Sequence, residues 1–447
     1  MKIAAVRGFR DVLPEESVLW QQWETCVRAI FSVYGFREII LPVIEKTELF
    51  ARAIGETTDI VEKEMYTFTD RDDASITLRP EGTASVIRAA IEHSLFHKEP
   101  VSKLFYIGPM FRRERPQKGR YRQFHQIGAE ILGRDDPLID AELLLMLSDF
   151  FTALQLAVTL EVNSLGDAVC RPGYRERLRA FGESKRSELC ENCQARLARN
   201  PLRLLDCKEV NCRRIMADAP MLTDDLCDPC RAHFARVQEY LHRENVPFIL
   251  NPRLVRGLDY YCRTAFELTA QGLGSQNAVG GGGRYDGLVE QLGGPAVPGI
   301  GFAIGVERLV LLLQAQERDM AVRPDLFIAP MGEAAEGQAF SLARRLRQAG
   351  YYVEVESGTR GLKAQMRRAD KLGARHVLIL GENELAVGKG TVRDMQAKTD
   401  RPLAVDLTLP AQAMMKSIGS TQSIESTRSI ESIESKTSST QQTQRTQ

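Results

Sequence analysis

The chain has 447 residues, of which 43% are hydrophobic and 26% charged, with 59 basic and 59 acidic side chains that leave a formal net charge of zero. That is the composition of a soluble globular protein of two or three domains, and it excludes a chain coated in positive charge while leaving room for a local basic groove. No apolar run reaches the roughly 18–20 residues that a bilayer span requires, and the opening MKIAAVRGFRDVLPEE meets acids before a signal core could form, so a cytoplasmic protein with no membrane partner is expected.

Along the chain, Val18, Leu19, Val27, Ile30 and Phe31 recur at helical spacing between Glu15 and Val33, and Tyr34-Gly35 closes that helix. FREIILPVI then reads as a strand, and Pro42 within it predicts an edge or an interface. SITLRP predicts a strand, GTASVIRAAIEHSL a helix and SKLFYIGPMF a strand, followed after a basic stretch by another strand, the apolar helix DAELLLMLSDFFTAL and the β-rich VTLEVNSLG. Between about Arg171 and Asn245 the text turns to Arg-rich helices carrying six of the nine cysteines, which reads as an insertion. Strands resume with LDYYCRTAFEL, pass through GGGGRYDGL and end in GIGFAIGVERLVLLL, a strand turning into a helix. Many strands with few crossover helices predict an antiparallel sheet of α+β type.

From Pro324 strand and helix alternate strictly, through DLFIAP, QAFSLARRLRQAG, YYVEVES, KAQMRRADKLGA, RHVLILG and LAVDLTL, which predicts a small α/β domain with a parallel sheet. The final 416–447 is Ser, Thr and Gln with repeated SIES units, too poor in apolar residues to order itself, and is expected to be a disordered low-complexity tail.

The basic stretch, FRRERPQKGRYRQFHQIGAE (Phe111–Glu130), sets six Lys or Arg against one Glu before His125. Such a block is most often a solvated face. Here strand-like sequence flanks it, and Pro116 and Gly119 supply turn chemistry, so a long hairpin is expected. A period of two puts Arg122, Phe124, Gln126, Gly128 and Glu130 on one face, with Tyr106, Gly108, Met110 and Arg112 sharing a face of the incoming strand. Guanidinium groups pair with phosphate or carboxylate, an aromatic ring stacks on a base, and a carboxylate with an amide holds a cationic or amphoteric side chain. Those are the needs of a site that joins a nucleotide to an amino acid.

These segments resemble the histidyl-tRNA synthetases, a class II aminoacyl-tRNA synthetase family. FREIILPVIEKTELF is similar to its dimer-forming first motif, FRRERPQKGRYRQFHQIGAE to its second and GIGFAIGVERL to its third, while LVRGLDYYCRTAFE and GGGRYDGL are similar to its two histidine-specific segments. RGFRDVLPEE and RPEGT match as well, and the resemblance runs from about Val6 to Leu409. It implies a class II catalytic domain over 1–322 with the helical insertion at about 171–245, an α/β anticodon-binding domain over 324–410, and a homodimer.

The implied activity is ligation: L-histidine and ATP give histidyl-adenylate and pyrophosphate, and histidine passes to the 3′ end of tRNA(His). By resemblance Arg112 and Arg256 are the catalytic cations at the α-phosphate and the substrate carboxylate, and Arg308 holds the γ-phosphate. Glu114 and Arg120 help to place ATP, and Phe124 stacks on adenine. Glu81, Gly82 and Thr83 surround the α-amino group with Gln126 alongside. Glu130, Tyr260, Tyr261 and Tyr285 line the imidazole pocket, and Arg115 and Gln117 meet the tRNA acceptor end. Mg²⁺ is expected with the triphosphate. For each arginine alone an ion pair, and for each tyrosine core packing, is the commoner fate; five motifs together favour the site.

In the insertion, Cys190-x2-Cys193, Cys207, Cys212 and Cys227-x2-Cys230 can close a zinc tetrahedron, but the pairs lie further apart than in a usual ribbon, so zinc and reduced thiols stay open. Its basic surface is expected near the acceptor arm. The basic helix KAQMRRADK of the last domain predicts salt-sensitive tRNA binding. Two other readings compete: a catalytically inactive synthetase-like regulatory subunit of histidine biosynthesis, and a class II synthetase for another amino acid. Retention of Arg112, Arg256, Arg308 and the last domain weighs against the first, and the LDYY and GGGRYDG segments against the second.

Overall fold

The alternation along Gln123–Leu132 organises the fold: Ile127, Ala129 and Ile131 are fully buried in the main core, which turns Gln126, Gly128 and Glu130 to the opposite face. The structure, a computed structural model, describes residues 3–419 except 56–57, 59, 259, 275–276, 317–318, 320, 358 and 406–408. It divides into two units, Met1–Arg318 and Asp319–Gln447.

In the first unit the strands are β1 (Arg37–Glu38), β2 (Ile44–Lys46), β3 (Tyr66–Thr69), β4 (Ser75–Leu78), β5 (Ser102–Phe111) and β6 (Gln123–Leu132). They continue as β7 (Thr159–Ser164), β8 (Ile249–Leu250), β9 (Cys262–Thr269), β10 (Ala278–Arg284) and β11 (Gly299–Gly305). Eight of them form one sheet in the order β1-β5-β6-β11-β10-β9-β7-β8, antiparallel except for the parallel edge pairs β1/β5 and β7/β8. Strands β2, β4 and β3 form a separate small sheet.

Helices Pro14–Val33, Pro137–Ala153, Asp228–Arg243 and Val306–Gln314 cover one face of the large sheet, burying Trp23, Phe31, Leu147, Phe150, Val237 and Leu309 against it. Helix Pro137–Ala153 is apolar on most sides because it is packed on most sides. The last helix of the Cys-rich region, Asp228–Arg243, therefore belongs to the main core, through Phe234, Val237 and Leu241, as much as to an inserted lobe.

FREIILPVI does not form one strand. It is split into β1 and β2, and the carbonyls of Leu41 and Pro42 between them accept from the Arg79 guanidinium at 2.9 and 3.1 Å instead of a neighbouring strand. Pro42 has no N–H to continue a ladder, and buried Arg79 satisfies what remains. In the GGGRYDG segment, Arg284 is likewise an internal brace. Fully buried, it donates to Asp140 at 3.1 Å, Asp286 at 2.9 Å and the Arg134 carbonyl at 3.0 Å, while His233 meets Asp140 at 2.8 Å. Burial opposes the charge on Asp140, but His233 and Arg284 hold its carboxyl below the ordinary value.

The second unit contains β12 (Leu326–Met331), β13 (Val353–Val355), β14 (His376–Gly381), β15 (Lys389–Asp394) and β16 (Thr399–Ala404), ordered β13-β12-β14-β15-β16. The expected parallel sheet is corrected to a mixed one: β13, β12 and β14 are parallel, whereas β15 and β16 join antiparallel. Their hairpin turns where the Asp394 side chain accepts from the N–H groups of Gln396 and Ala397 and Lys398 takes φ 56°, a turn with no Gly or Asn to announce it. The expected strand LAVDLTL is reduced to the end of β16, with 406–408 outside the described residues. The expected tail start at 416 also moves. Helix Ala411–Ile418 buries Met414, Met415 and Ile418 in this unit's core, and the tail from 420 onward lies outside the described residues.

Candidate active site

On the face of the large sheet opposite the main core lies a cleft of about 1010 Å³, counted to its open mouth. Register explains why it is open. Gln126 of β6 sits between Gly108 of β5 and Gly305 of β11, and Glu130 faces Gly301, so the polar side chains stand among residues with almost none. A Cβ on Gly301 would lie 1.7 Å from a Glu130 carboxylate oxygen, so only glycine fits there.

The four expected phosphate-side arginines share this cleft although they come from three separate segments: Arg112 and Arg120 from the hairpin, Arg256 from the loop before β9 and Arg308 from the helix after β11. Arg112 Nε donates to the Pro80 carbonyl at 2.8 Å, and its guanidinium lies 5.3 Å from the centre of the Phe124 ring. Arg120 pairs with Glu114 at 2.9 Å. Arg256 lies 5.4 Å from the centre of the Tyr261 ring and donates to Glu267 at 3.3 Å, while its buried Nε–H has no hydrogen-bond partner. Arg308 donates to the Ala278 carbonyl, and burial followed by repulsion from Arg120 lowers its pKa. Clustered, partly desolvated cations with an unused donor make a strong anion site.

At the other end, Glu81 accepts from the N–H groups of Thr83 and Ala84 at 2.7 and 2.9 Å, capping helix Thr83–Glu92, whose N-cap is Gly82. Burial raises its carboxyl above the ordinary value, partly offset by those two N–H groups and by Arg112. Glu81, Thr83, Gln126, Tyr260 and Tyr261 line the cleft, whereas Gly82, Glu130 and Tyr285 stand behind that lining. Glu130, with no exposed surface, accepts from the Thr83 hydroxyl at 2.6 Å and the Tyr285 hydroxyl at 2.5 Å. Burial pushes its carboxyl up to about 8, with Glu81 adding to the rise and the two hydroxyls opposing it. Burial likewise raises the phenol pKa of Tyr260, Tyr261 and Tyr285, whose rings adjoin at 4.6 Å (Tyr260/Tyr261) and 5.8 Å (Tyr260/Tyr285). This end is a desolvated pocket of two carboxyls and three phenols, suited to a small side chain carrying hydrogen-bond donors.

Arg115 and Gln117 do not enter the cleft; they are exposed on the hairpin loop, where Gln117 and Arg120 close the turn across Gly119 at φ +73°. Sequence reasoning misses Glu307 and Glu267 and places Tyr106 only on a face of its strand, without its role. Glu307, next to Arg308, accepts from the His125 backbone N–H at 2.9 and 3.0 Å and meets its ring at 3.1 Å, fixing the start of β6. Tyr106 is held with its ring where a Cβ on Gly82 or Gly128 would fall, at 2.2 and 2.1 Å. Glu267 is the carboxylate beside Arg256, raised by burial and held down by that arginine. The signal for Tyr106 and Glu267 was present in strand periodicity; that for Glu307 was not, because its partner is 182 residues away.

A histidyl-tRNA synthetase family profile matches residues 8–309, and an anticodon-binding-domain profile matches 325–409. The chain is 55% identical to the histidine–tRNA ligase of Trichlorobacter lovleyi over 93% of its own length and 99% of the relative. It is 54% identical to that of Syntrophotalea carbinolica over 91% and 97%. Among solved structures, apo histidyl-tRNA synthetase of S. aureus aligns with a TM-score of 0.76 at 38% identity, covering 93% of this chain and 100% of that one.

Proposed function

This chain belongs to the histidyl-tRNA synthetase family of class II aminoacyl-tRNA synthetases, and from that premise we propose how its own residues divide the work of a histidine–tRNA ligase. The convergence of Arg112, Arg120, Arg256 and Arg308 on one cleft that ends in buried Glu81 and Glu130 carries the reading.

A carboxylate oxygen of histidine attacks the α-phosphorus of ATP, the bond from that phosphorus to the bridging oxygen breaks, and pyrophosphate leaves. Two anions must meet, so Arg112 and Arg256 screen the carboxylate and the α-phosphate as charge gathers on the phosphoryl oxygens. Arg308 holds the γ-phosphate, and the Arg120–Glu114 pair fixes the hairpin over the nucleotide. Mg²⁺ arriving with the triphosphate would supply further charge neutralisation, with Glu114 and Glu267 the cleft-wall carboxylates that would hold it. Glu81, Gly82, Thr83 and Gln126 take the α-amino group; the unpartnered, buried Gln126 amide oxygen supports this. Glu130, Tyr260, Tyr261 and Tyr285 read the imidazole. In the second step a hydroxyl of the terminal ribose attacks the histidyl carbonyl and AMP leaves, with Arg115 and Gln117 contacting the acceptor end.

Phe124 stacks on adenine. Its replacement by alanine is expected to raise KM for ATP roughly 5- to 160-fold, the loss of about 1–3 kcal/mol of base stacking, with little change in KM for histidine. An unchanged KM for ATP would remove Phe124 from the nucleotide site.

We assign 1–322 to catalysis and 324–410 to the anticodon. On helix Leu362–Lys371, Lys363, Arg367 and Lys371 form an exposed stripe four residues apart, while Arg368 is engaged by Glu356 at 2.8 Å. Changing the three to glutamine should weaken tRNA binding and flatten its salt dependence by about 0.7–0.9 per lost contact, leaving histidine-dependent ATP–pyrophosphate exchange intact. An unaltered salt slope would overturn that assignment. The chain acts in the cytoplasm as a homodimer; the dimer is supported by Val33 and Ile40, 80% and 91% exposed on either side of edge strand β1 in the sequence. Charging of tRNA(His) with histidine and no other amino acid tests the whole.

A further inference from the structure

Seven of the nine cysteines gather at two places, six of them in the Cys-rich region and Cys170 just before it. Cys190, Cys193, Cys207 and Cys212 form one group, and Asp167, Cys170, Cys227 and Cys230 the other; within each, the four potential ligand atoms lie within 4.8 Å of one another. We propose that these are two separate tetrahedral zinc sites, one with four thiolates and one with three thiolates and the Asp167 carboxylate.

Distances carry the first part of the argument. A tetrahedron with zinc–sulfur bonds of about 2.3 Å has sulfur–sulfur edges of about 3.8 Å. The Cys190–Cys207 sulfurs are 3.9 Å apart, Cys227 sulfur lies 3.8 Å from Asp167, Cys170 sulfur 3.4 Å from Asp167, and the Cys170–Cys227 sulfurs are 3.2 Å apart. None is near the roughly 2.05 Å of a disulfide, and three thiols cannot pair off among themselves.

The second part is the repeated construction. Cys190 is the N-cap of helix Glu191–Arg199 with Cys193 in its first turn, and Cys227 is the N-cap of helix Asp228–Arg243 with Cys230 in its first turn. Each C-x-x-C pair thus sits at a helix N-terminus, where the dipole favours thiolate. Backbone N–H groups also point at sulfur: Cys190 N–H donates to Cys212 at 3.2 Å and Cys227 N–H to Cys170 at 3.1 Å, the outer-shell bonds that orient metal ligands. Buried cysteines packing merely as small hydrophobes would need neither convergence nor these donors.

The two sites do different things. The four-thiolate site fastens short helical pieces together, a role metals take where a lobe is small. The other joins the chain just after β7, at Asp167 and Cys170, to the start of the returning helix, and so clamps the base of the lobe. In the chain between Cys193 and Cys207, Arg203 donates to the Gly257 carbonyl, next to Arg256, and Leu202, Arg203 and Leu205 form one wall of a cavity of about 530 Å³ whose other wall includes Arg256 and Leu258. Zinc therefore positions the loop that carries Arg256. Binding displaces the thiol protons to solvent and changes no oxidation state.

The test is elemental analysis of the purified full chain. Two zinc ions per chain are expected, with Cys193→Ser and Cys230→Ser each retaining one and the double variant none. Should a variant fail to fold, cobalt exchanged into the wild-type protein must give the absorption of tetrahedral sulfur-ligated cobalt at two equivalents per chain. Stoichiometry below two, a metal other than zinc, seven cysteines that titrate freely in the native protein, or cobalt without that absorption would each overturn the proposal.

Discussion

Arg256→Ala is expected to slow histidine-dependent ATP–pyrophosphate exchange by about 10²- to 10³-fold, the range for removing one preorganised donor from a developing anion. KM for histidine should change modestly. The reason lies in how the side chain is held. Its guanidinium rests over the Tyr261 ring, donates to Glu267 and fills the space that a Cβ on Gly281 would occupy, 2.6 Å from an Arg256 nitrogen. Its orientation is therefore set before substrate arrives, while its buried Nε–H remains unpaired. A donor left unsatisfied at rest and satisfied when charge accumulates contributes to the barrier more than to ground-state binding. Lysine should rescue little, because a point charge lacks the planar fork that reaches ring, carboxylate and phosphate together. Near-normal exchange by Arg256→Ala in rapid-mixing assays would sink the assignment.

Periodicity and motif chemistry carried the reading of this site a long way, and their limits have physical causes. The alternation of Phe124, Gln126 and Glu130 against Ile127, Ala129 and Ile131 separates ligand face from core face because a strand has a fixed period of two. Arg112, Arg256 and Arg308 were legible through the family motifs that carry them, and the fold brings all three to one cleft. A face, however, does not name its partners. That Arg79 and Arg284 are internal braces, that Glu307 seats His125, and that Glu130 stands behind Thr83 follow from contacts across dozens to nearly two hundred residues. The cysteines illustrate the same limit. In sequence, six of them left one zinc tetrahedron and reduced thiols open; the fold adds Cys170 and Asp167 and gathers two separate four-residue groups, because the chain returns to its starting point at Cys227. In the second unit the β15/β16 hairpin was missed because an aspartate side chain turns the chain where glycine usually does.

The second large effect concerns Glu130, where histidine affinity should peak between about pH 6.5 and 8. Without ligand, burial keeps this carboxyl protonated up to about pH 8. The folded protein thus retains a proton that the unfolded chain releases near the ordinary glutamate value, about 4.3, so this group's contribution to stability is present at acid pH and is lost as pH rises towards 8. Histidine reverses the balance. Its imidazole is neutral above about pH 6.5, so the pocket and the substrate enter the complex with one proton between them and none exchanged with solvent. Below that window the pair carries a surplus proton; above it both partners have lost theirs and the contact weakens. Glu130→Gln should therefore lower histidine affinity by about 2–4 kcal/mol, roughly 30- to 1000-fold, and abolish the alkaline limb near pH 8. A limb from the substrate's own α-amino group persists in both proteins, so the difference between the two profiles isolates Glu130. An identical alkaline limb in the variant, or an unchanged KM for histidine, would place Glu130 with the structural braces Arg79 and Arg284 rather than with the residues that choose the substrate.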